Sequence, residues 1–172
     1  DDQLINKKFH ILQRNKVLKD REKFIYNEIA TRLNNSLEGL NLKLNNCLEI
    51  GYASNNIYKY ILTKFKKIDY LIADISKMNL NILSLSKKNI CFDHDQWELN
   101  NNKYDLIISN FYLHLTNNLE ILLKNIYKSL NNNGFFIASL PNCFVVHYHE
   151  QRSAPKQNRD GHIYIYIYIY PP

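Results

Sequence analysis

Apolar side chains at Leu18, Ile25, Ile29, Leu33 and Leu37 alternate with Lys, Arg and Glu at helical spacing, which predicts an amphipathic helix over 17–37. Cys47-Leu48-Glu49-Ile50 then reads as a short apolar strand that stops at Gly51. From Asn56 the pattern turns helical again, with Ile57, Ile61 and Phe65 on one face. A second strand runs from Ile68 to Ala73 and ends at Asp74. Residues 78–85 read as a short helix, and 89–92 as a third strand ending at Asp93. The fourth strand is Tyr104 to Ser109; Leu119, Leu122, Leu123, Ile126 and Leu130 mark the clearest helix of the chain. Asn131 to Gly134 is expected to close that helix, because Asn and Gly tolerate the left-handed conformation of a helix end. Phe135 to Leu140 is the fifth strand, stopped by Pro141.

Strands that are continuous apolar runs and alternate with helices indicate an α/β domain, with a mostly parallel sheet buried on both faces. A doubly wound order is the natural arrangement, and such sheets bind ligands at the carboxyl ends of their strands. Those ends are Gly51, Asp74, Asp93 and Asn110.

Three of the four carry chemistry suited to a nucleoside. A glycine lets the chain turn sharply and bring its backbone close to a ligand. Asp74 lies 23 residues beyond Gly51, the separation at which an acidic residue accepts hydrogen bonds from ribose hydroxyls. Asp93, with the His94 amide beside it, is placed to meet an adenine edge, and Glu49 to receive a charged amino group. The competing reading of each Asp is a turn former or helix cap. His114 is a weak catalytic candidate after the fourth strand, or simply a histidine at a helix start. Trp97 is expected to cover the sheet edge or the adenine pocket.

Composition narrows the partners. The chain's 172 residues suit one domain with a real core, and 45% hydrophobic with 22% charged residues is globular usage. No apolar run approaches the roughly 18 residues of a membrane-spanning helix. The net charge of +6 invites a nucleic-acid reading, but the basic residues are scattered in pairs such as Lys7-Lys8 and Lys66-Lys67. With 25 asparagines, they fit the drift of an AT-rich coding sequence better than a binding stripe. Cys47, Cys91 and Cys143 have no metal-type spacing; free thiols, with Cys47 and Cys91 buried, are expected, and no metal site. The chain opens Asp1-Asp2-Gln3 without a secretory signal, as a processed or truncated product would.

The order of these segments resembles class I S-adenosylmethionine-dependent methyltransferases of the methyltransferase-11 type, with their Rossmann-like fold. The resemblance rests on LEIG at 48–51, LIADIS at 71–76, YDLIISNFYLHL at 104–115 and LKNIYKSLNNNGFFIASLP at 123–141. FHILQRNKVLKDREKFIYNEIATRL, 9–33, resembles the leader helix of one branch. That branch contains the malonyl-carrier-protein O-methyltransferase of biotin synthesis and a mitochondrial complex I assembly factor described as an arginine hydroxylase. The resemblance implies S-adenosylmethionine as cofactor, Glu49 and Gly51 at its methionine end, Asp74 on the ribose, and Asp93 with His94 around the adenine. Ala53, Ile75 and Asn110 complete the implied cofactor-binding set. It also implies a protein or a small carrier-bound acid as methyl acceptor rather than RNA, an assembly partner, and a mitochondrial or cytoplasmic location.

Two departures stand out. The glycine-rich loop of the family has Ala53 and Asn55 at its second and third glycine positions; Asn55 can still adopt a left-handed turn, but a side chain there crowds the cofactor and lowers the expected affinity. The C-terminal hairpin that shapes an acceptor pocket is replaced by a polar stretch and four Ile-Tyr repeats from Ile163, then Pro171-Pro172. The repeat alternates with period two and could add an edge strand; translation of a TA repeat is its simplest origin. The expected organisation is a leader helix region at 1–38, a cofactor-binding core at 39–142 and an irregular tail at 143–172. The leading expectation is therefore a methyltransferase domain. The alternatives are a truncated, non-catalytic scaffold and an RNA methyltransferase.

Overall fold

The computed structural model describes residues 6–16, 20–38, 40, 42–77, 88–97, 99, 103–141 and 164–170. Two helices open the chain, α1 (Lys7–Arg14) and α2 (Asp20–Glu38). There follow β1 (Asn46–Ile50), α3 (Asn55–Lys64), β2 (Asp69–Asp74), β3 (Lys88–Cys91), β4 (Tyr104–Asn110), α4 (Leu119–Ser129), β5 (Leu130–Pro141) and β6 (Tyr164–Tyr170). Short 3-10 turns occupy His94–Gln96 and Leu113–Leu115. The helix expected at 78–85 and Cys143 lie outside the described residues.

The six strands form one sheet in the order β3-β2-β1-β4-β5-β6, and every neighbouring pair is parallel. The chain steps outward from β1 through β2 to β3, then returns to the other side of β1 with β4. The β1–β4 junction is thus the switch point where open α/β sheets bind their ligands.

Strand residues alternate between two cores. Cys47, Ile72, Leu106, Ile108 and Ile137 meet Ile29, Leu33 and Leu37 of α2 and Ile57 and Ile61 of α3 on one face. Leu48, Ile50, Ala73, Ile107, Phe136, Ala138 and Leu140 meet Leu122, Leu123 and Ile126 of α4 on the other, with Phe92 and Trp97. Continuous apolar strands are required for that two-sided burial. Ile25, expected on the buried face of the leader helix, is instead 48% exposed.

The turn after α4 corrects the sequence reading. The helix ends at Ser129 and Leu130 already pairs with Tyr104, so 131–134 bulge out of β5 and do not cap a helix. Asn133 takes the left-handed conformation there, with φ 64°. Gly134 is needed for clearance: a β-carbon on it would lie 2.8 Å from the Asn131 carbonyl oxygen. Asp105 ties the bulge to the start of β1, accepting from Asn131 Nδ2 at 2.6 Å and from the Asn45 and Asn46 amides at 2.7 and 3.1 Å.

Cys47 is a buried thiol, whose pKa burial pushes well up. Cys91 is free too, but exposed rather than buried, because β3 is an edge strand. The Ile-Tyr repeat supplies β6 and pairs with β5 from Phe135↔Tyr164 to Pro141↔Tyr170.

Candidate functional site

Gly51 closes β1 with φ 77°, and its amide donates to the Ala73 carbonyl of β2 at 2.8 Å. A β-carbon at Gly51 would lie 2.1 Å from the Tyr112 ring, so glycine is required for both conformation and space. The loop then runs through buried Ala53 to Ser54, which caps α3 by accepting from the Asn56 amide at 3.4 Å. Asn55 is therefore the first residue of α3 and does not use the left-handed turn open to it. The serine cap lets the helix begin without a glycine.

Asp74, fully buried at the end of β2, is the hub of the site. Its Oδ2 accepts from the Tyr52 amide at 2.9 Å and its Oδ1 from the Ser76 amide at 2.7 Å. The guanidinium of Arg14, reaching down from α1, completes the set with an ion pair, and also donates to the Tyr52 carbonyl. Burial alone would lower the Arg14 pKa. The charge of Asp74 and its hydrogen bond outweigh that and hold the guanidinium charged.

Asp93 caps the first 3-10 turn through the Asp95 amide at 3.1 Å and pairs with Lys7 of α1. His94 is buried, with Nε2 3.2 Å from the Leu115 carbonyl and Nδ1 3.0 Å from the Tyr112 hydroxyl. A carbonyl only accepts, so Nε2 carries the proton and Nδ1 accepts from Tyr112. The Ile75 amide donates to the same hydroxyl at 3.4 Å. Ile75, Tyr112, His94 and Leu115 thus form one relay. Burial keeps His94 neutral by lowering its pKa, and raises that of Tyr112 far beyond its ordinary value.

Two further predicted site residues are held by contacts within the fold. Glu49, fully buried, accepts from the Tyr70 hydroxyl at 2.8 Å. Burial, then the Glu49 charge, raises the Tyr52 pKa to about 12. Asn110 donates to the Tyr26 carbonyl of α2 at 3.0 Å and accepts from Ser139 of β5 at 3.1 Å. Trp97 packs edge-on against Phe92, with ring centroids 5.3 Å apart, inside the α4-side core.

A methyltransferase-domain family model matches residues 18–167 of the chain. The chain belongs to the methyltransferase domain family. Solved methyltransferases share its fold. The plantazolicin methyltransferase BpumL, in complex with a triazolic desmethylPZN analog and SAH, superposes with a TM-score of 0.54 at 19% identity, over 73% of this chain and 49% of its own. The same enzyme with SAH alone gives 0.52 at 20% identity, over 66% and 45%. Coclaurine N-methyltransferase, bound to N-methylheliamine and SAH, gives 0.51 at 18% identity, over 60% and 32%. This methyltransferase domain therefore spans about half the length of BpumL or less. No curated protein sequence matches it.

Within the methyltransferase domain, the structure brings Gly51, Asp74, Ile75, Asp93 and His94 together around the ends of β1, β2 and β4. His114 stands on the second 3-10 turn, half-buried; burial, then the nearby Arg14 charge, lowers its pKa to about 4. Among the described residues no cluster of His, Cys, Asp and Glu could hold a metal ion, and no helix is long and apolar enough to cross a membrane.

The leader helix expected at 9–33 is two helices, α1 and α2, and sequence reasoning missed both the place of α1 at the strand ends and Tyr112. Lys7, His10 and Arg14 are three and four residues apart, so they share one helix face, and that face meets the strand ends. Phe111, with φ 52°, was missed as well. Its amide is held by Ser139 Oγ at 3.0 Å, and this strained turn delivers Tyr112 onto Gly51.

Proposed function

We propose that this domain binds S-adenosylmethionine across the carboxyl ends of β1, β2 and β4 and transfers its methyl group. The observation that carries this reading is Asp74: a buried carboxylate at the end of β2, touching the amide that follows Gly51, one strand from the β1–β4 switch point. The residues present fit the cofactor. Asp74 is an acceptor-only group for a ribose diol, Asp93 and the His94 amide offer an adenine edge its partners, and Ile75 gives apolar cover.

When bound, the cofactor supplies an electrophilic methyl group on a sulfonium. The chain's part is positioning, by the Gly51 turn and the Asp74 carboxylate. A histidine with a pKa of about 4 is a weak base at neutral pH, so His114 contributes little proton abstraction. For the methionine amino group the resemblance supports Glu49, whose carboxylate accepts from Tyr70 in this structure.

For the acceptor, the branch resemblance supports a protein or a small carrier-bound acid, in the mitochondrial matrix or the cytoplasm, with a role in complex I assembly as the finest version of the reading. Arginine hydroxylation rests on the branch resemblance alone. Calorimetric titration of S-adenosylhomocysteine and, separately, adenosine into the purified chain tests the cofactor. One-to-one binding of S-adenosylhomocysteine is expected; no heat from a chain shown to be folded contradicts the proposal.

A further inference from the structure

We propose that α1 is a gate that competes in cis with the cofactor, holding the groups assigned to its ribose and adenine until the cofactor displaces it. This rests on the cofactor reading above and adds to it a regulation of the same site. The two carboxylates at the site are both held by α1: Arg14 on Asp74 and Lys7 on Asp93. Between them the His10 ring sits against His94 and Tyr112, with centroids 5.6 and 5.7 Å away. One face of one eight-residue helix thus covers the ends of β2 and β4 and the turn after β3.

The contact is built to be exchanged. Asp74 has about four lone-pair positions. The Tyr52 and Ser76 amides and Arg14 take three. A diol that binds through both hydroxyls needs the Arg14 position. The seat of α1 is mostly polar: its buried residues are His10 and Arg14; Phe9 and Leu12, each 60% exposed, face away, and Ile11 alone packs, partly buried, against the core. Little apolar area therefore glues the helix down. His10 Nε2 and Arg14 Nε are buried there with no hydrogen-bond partner among the described residues, a cost that undocking relieves. Release of the helix withdraws only the partly buried Ile11 from the edge of the hydrophobic core.

A site that is open only part of the time binds more weakly in proportion to the open fraction. Removing the latch then strengthens binding. In the full chain, Arg14→Gln is expected to bind S-adenosylhomocysteine about tenfold more tightly than the parent, and Lys7→Gln about threefold. An undocked helix of this length is not stable in water. Hydrogen exchange of the amides of residues 10–15 is therefore expected to speed up about tenfold or more when the parent chain is saturated with S-adenosylhomocysteine. Lys7→Gln, on the more exposed pair, keeps the test alive if Arg14→Gln does not fold. Weaker or unchanged binding in the variants, or α1 amides that keep or gain protection, would overturn the gate while leaving the cofactor site standing. No binding by any of the folded chains would overturn the cofactor reading and the gate with it.

Discussion

The ring of Tyr112 occupies the space where a β-carbon on Gly51 would stand, 2.1 Å away. The strand end that carries the candidate loop and the strand end that carries the second 3-10 turn are therefore fitted to each other at zero clearance. Gly51→Ala would combine a left-handed backbone with that collision. We expect a loss of about 3 kcal/mol or more in stability, read as a shift of the urea midpoint.

Tyr112 also joins the ends of β2 and β4 through the Ile75 amide and His94. Tyr112→Phe keeps the ring and removes the hydroxyl, leaving two buried groups without a partner. A loss of about 1–3 kcal/mol is expected by chemical denaturation, with the fold retained.

Asp105 supplies a contrast at the other end of the sheet. Its three accepted hydrogen bonds hold β1, β4 and the β5 bulge in register. Asp105→Ala should cost about 1–3 kcal/mol in urea while leaving S-adenosylhomocysteine affinity unchanged. A matching loss of affinity would show that the two ends of the sheet are coupled.

The buried histidines set a pH dependence. His10 and His114 each titrate at about 4 in the folded protein, chiefly because of burial, with the nearby Arg14 charge lowering both further, against an ordinary 6.5. Between those values the unfolded chain binds more protons than the folded one. Stability is then complete above pH 6.5 and falls as the pH drops from 6.5 toward 4. The urea midpoint should be flat from pH 7 to 8 and decline below 6.5. The double variant His10→Gln/His114→Gln should decline less steeply.

The sheet is legible in the sequence because each strand is an apolar run with a hard stop at Gly51, Asp74 or Pro141. Its two-sided burial follows from the same runs. The beginning of β5 is not legible: Asn131, Asn132 and Asn133 carry no apolar signal, and the bulge is held by a side chain from β4. The site was half visible. Asp74 and Asp93 stand out as acids in register at strand ends, but nothing in that pattern shows that basic residues cover them. Helix α1 inverts the rule used to find helices, since it buries His10 and Arg14 and exposes Phe9 and Leu12. The spacing of Lys7, His10 and Arg14 was the available clue. Likewise, a buried Cys91 was read from its apolar neighbours, but strand order, which made β3 an edge, is not written in local sequence.

The central claim is that Asp74 accepts the ribose of the cofactor. Because Asp74 also holds Arg14, the cleanest measurement compares Arg14→Gln with Arg14→Gln/Asp74→Asn, so that the ion pair is absent from both. Titrated calorimetrically with S-adenosylhomocysteine, the double variant should bind at least about tenfold more weakly, the scale of a lost charge-assisted hydrogen bond. Equal affinity in two folded variants would contradict the assignment of Asp74, and with it the placement of the cofactor at the end of β2.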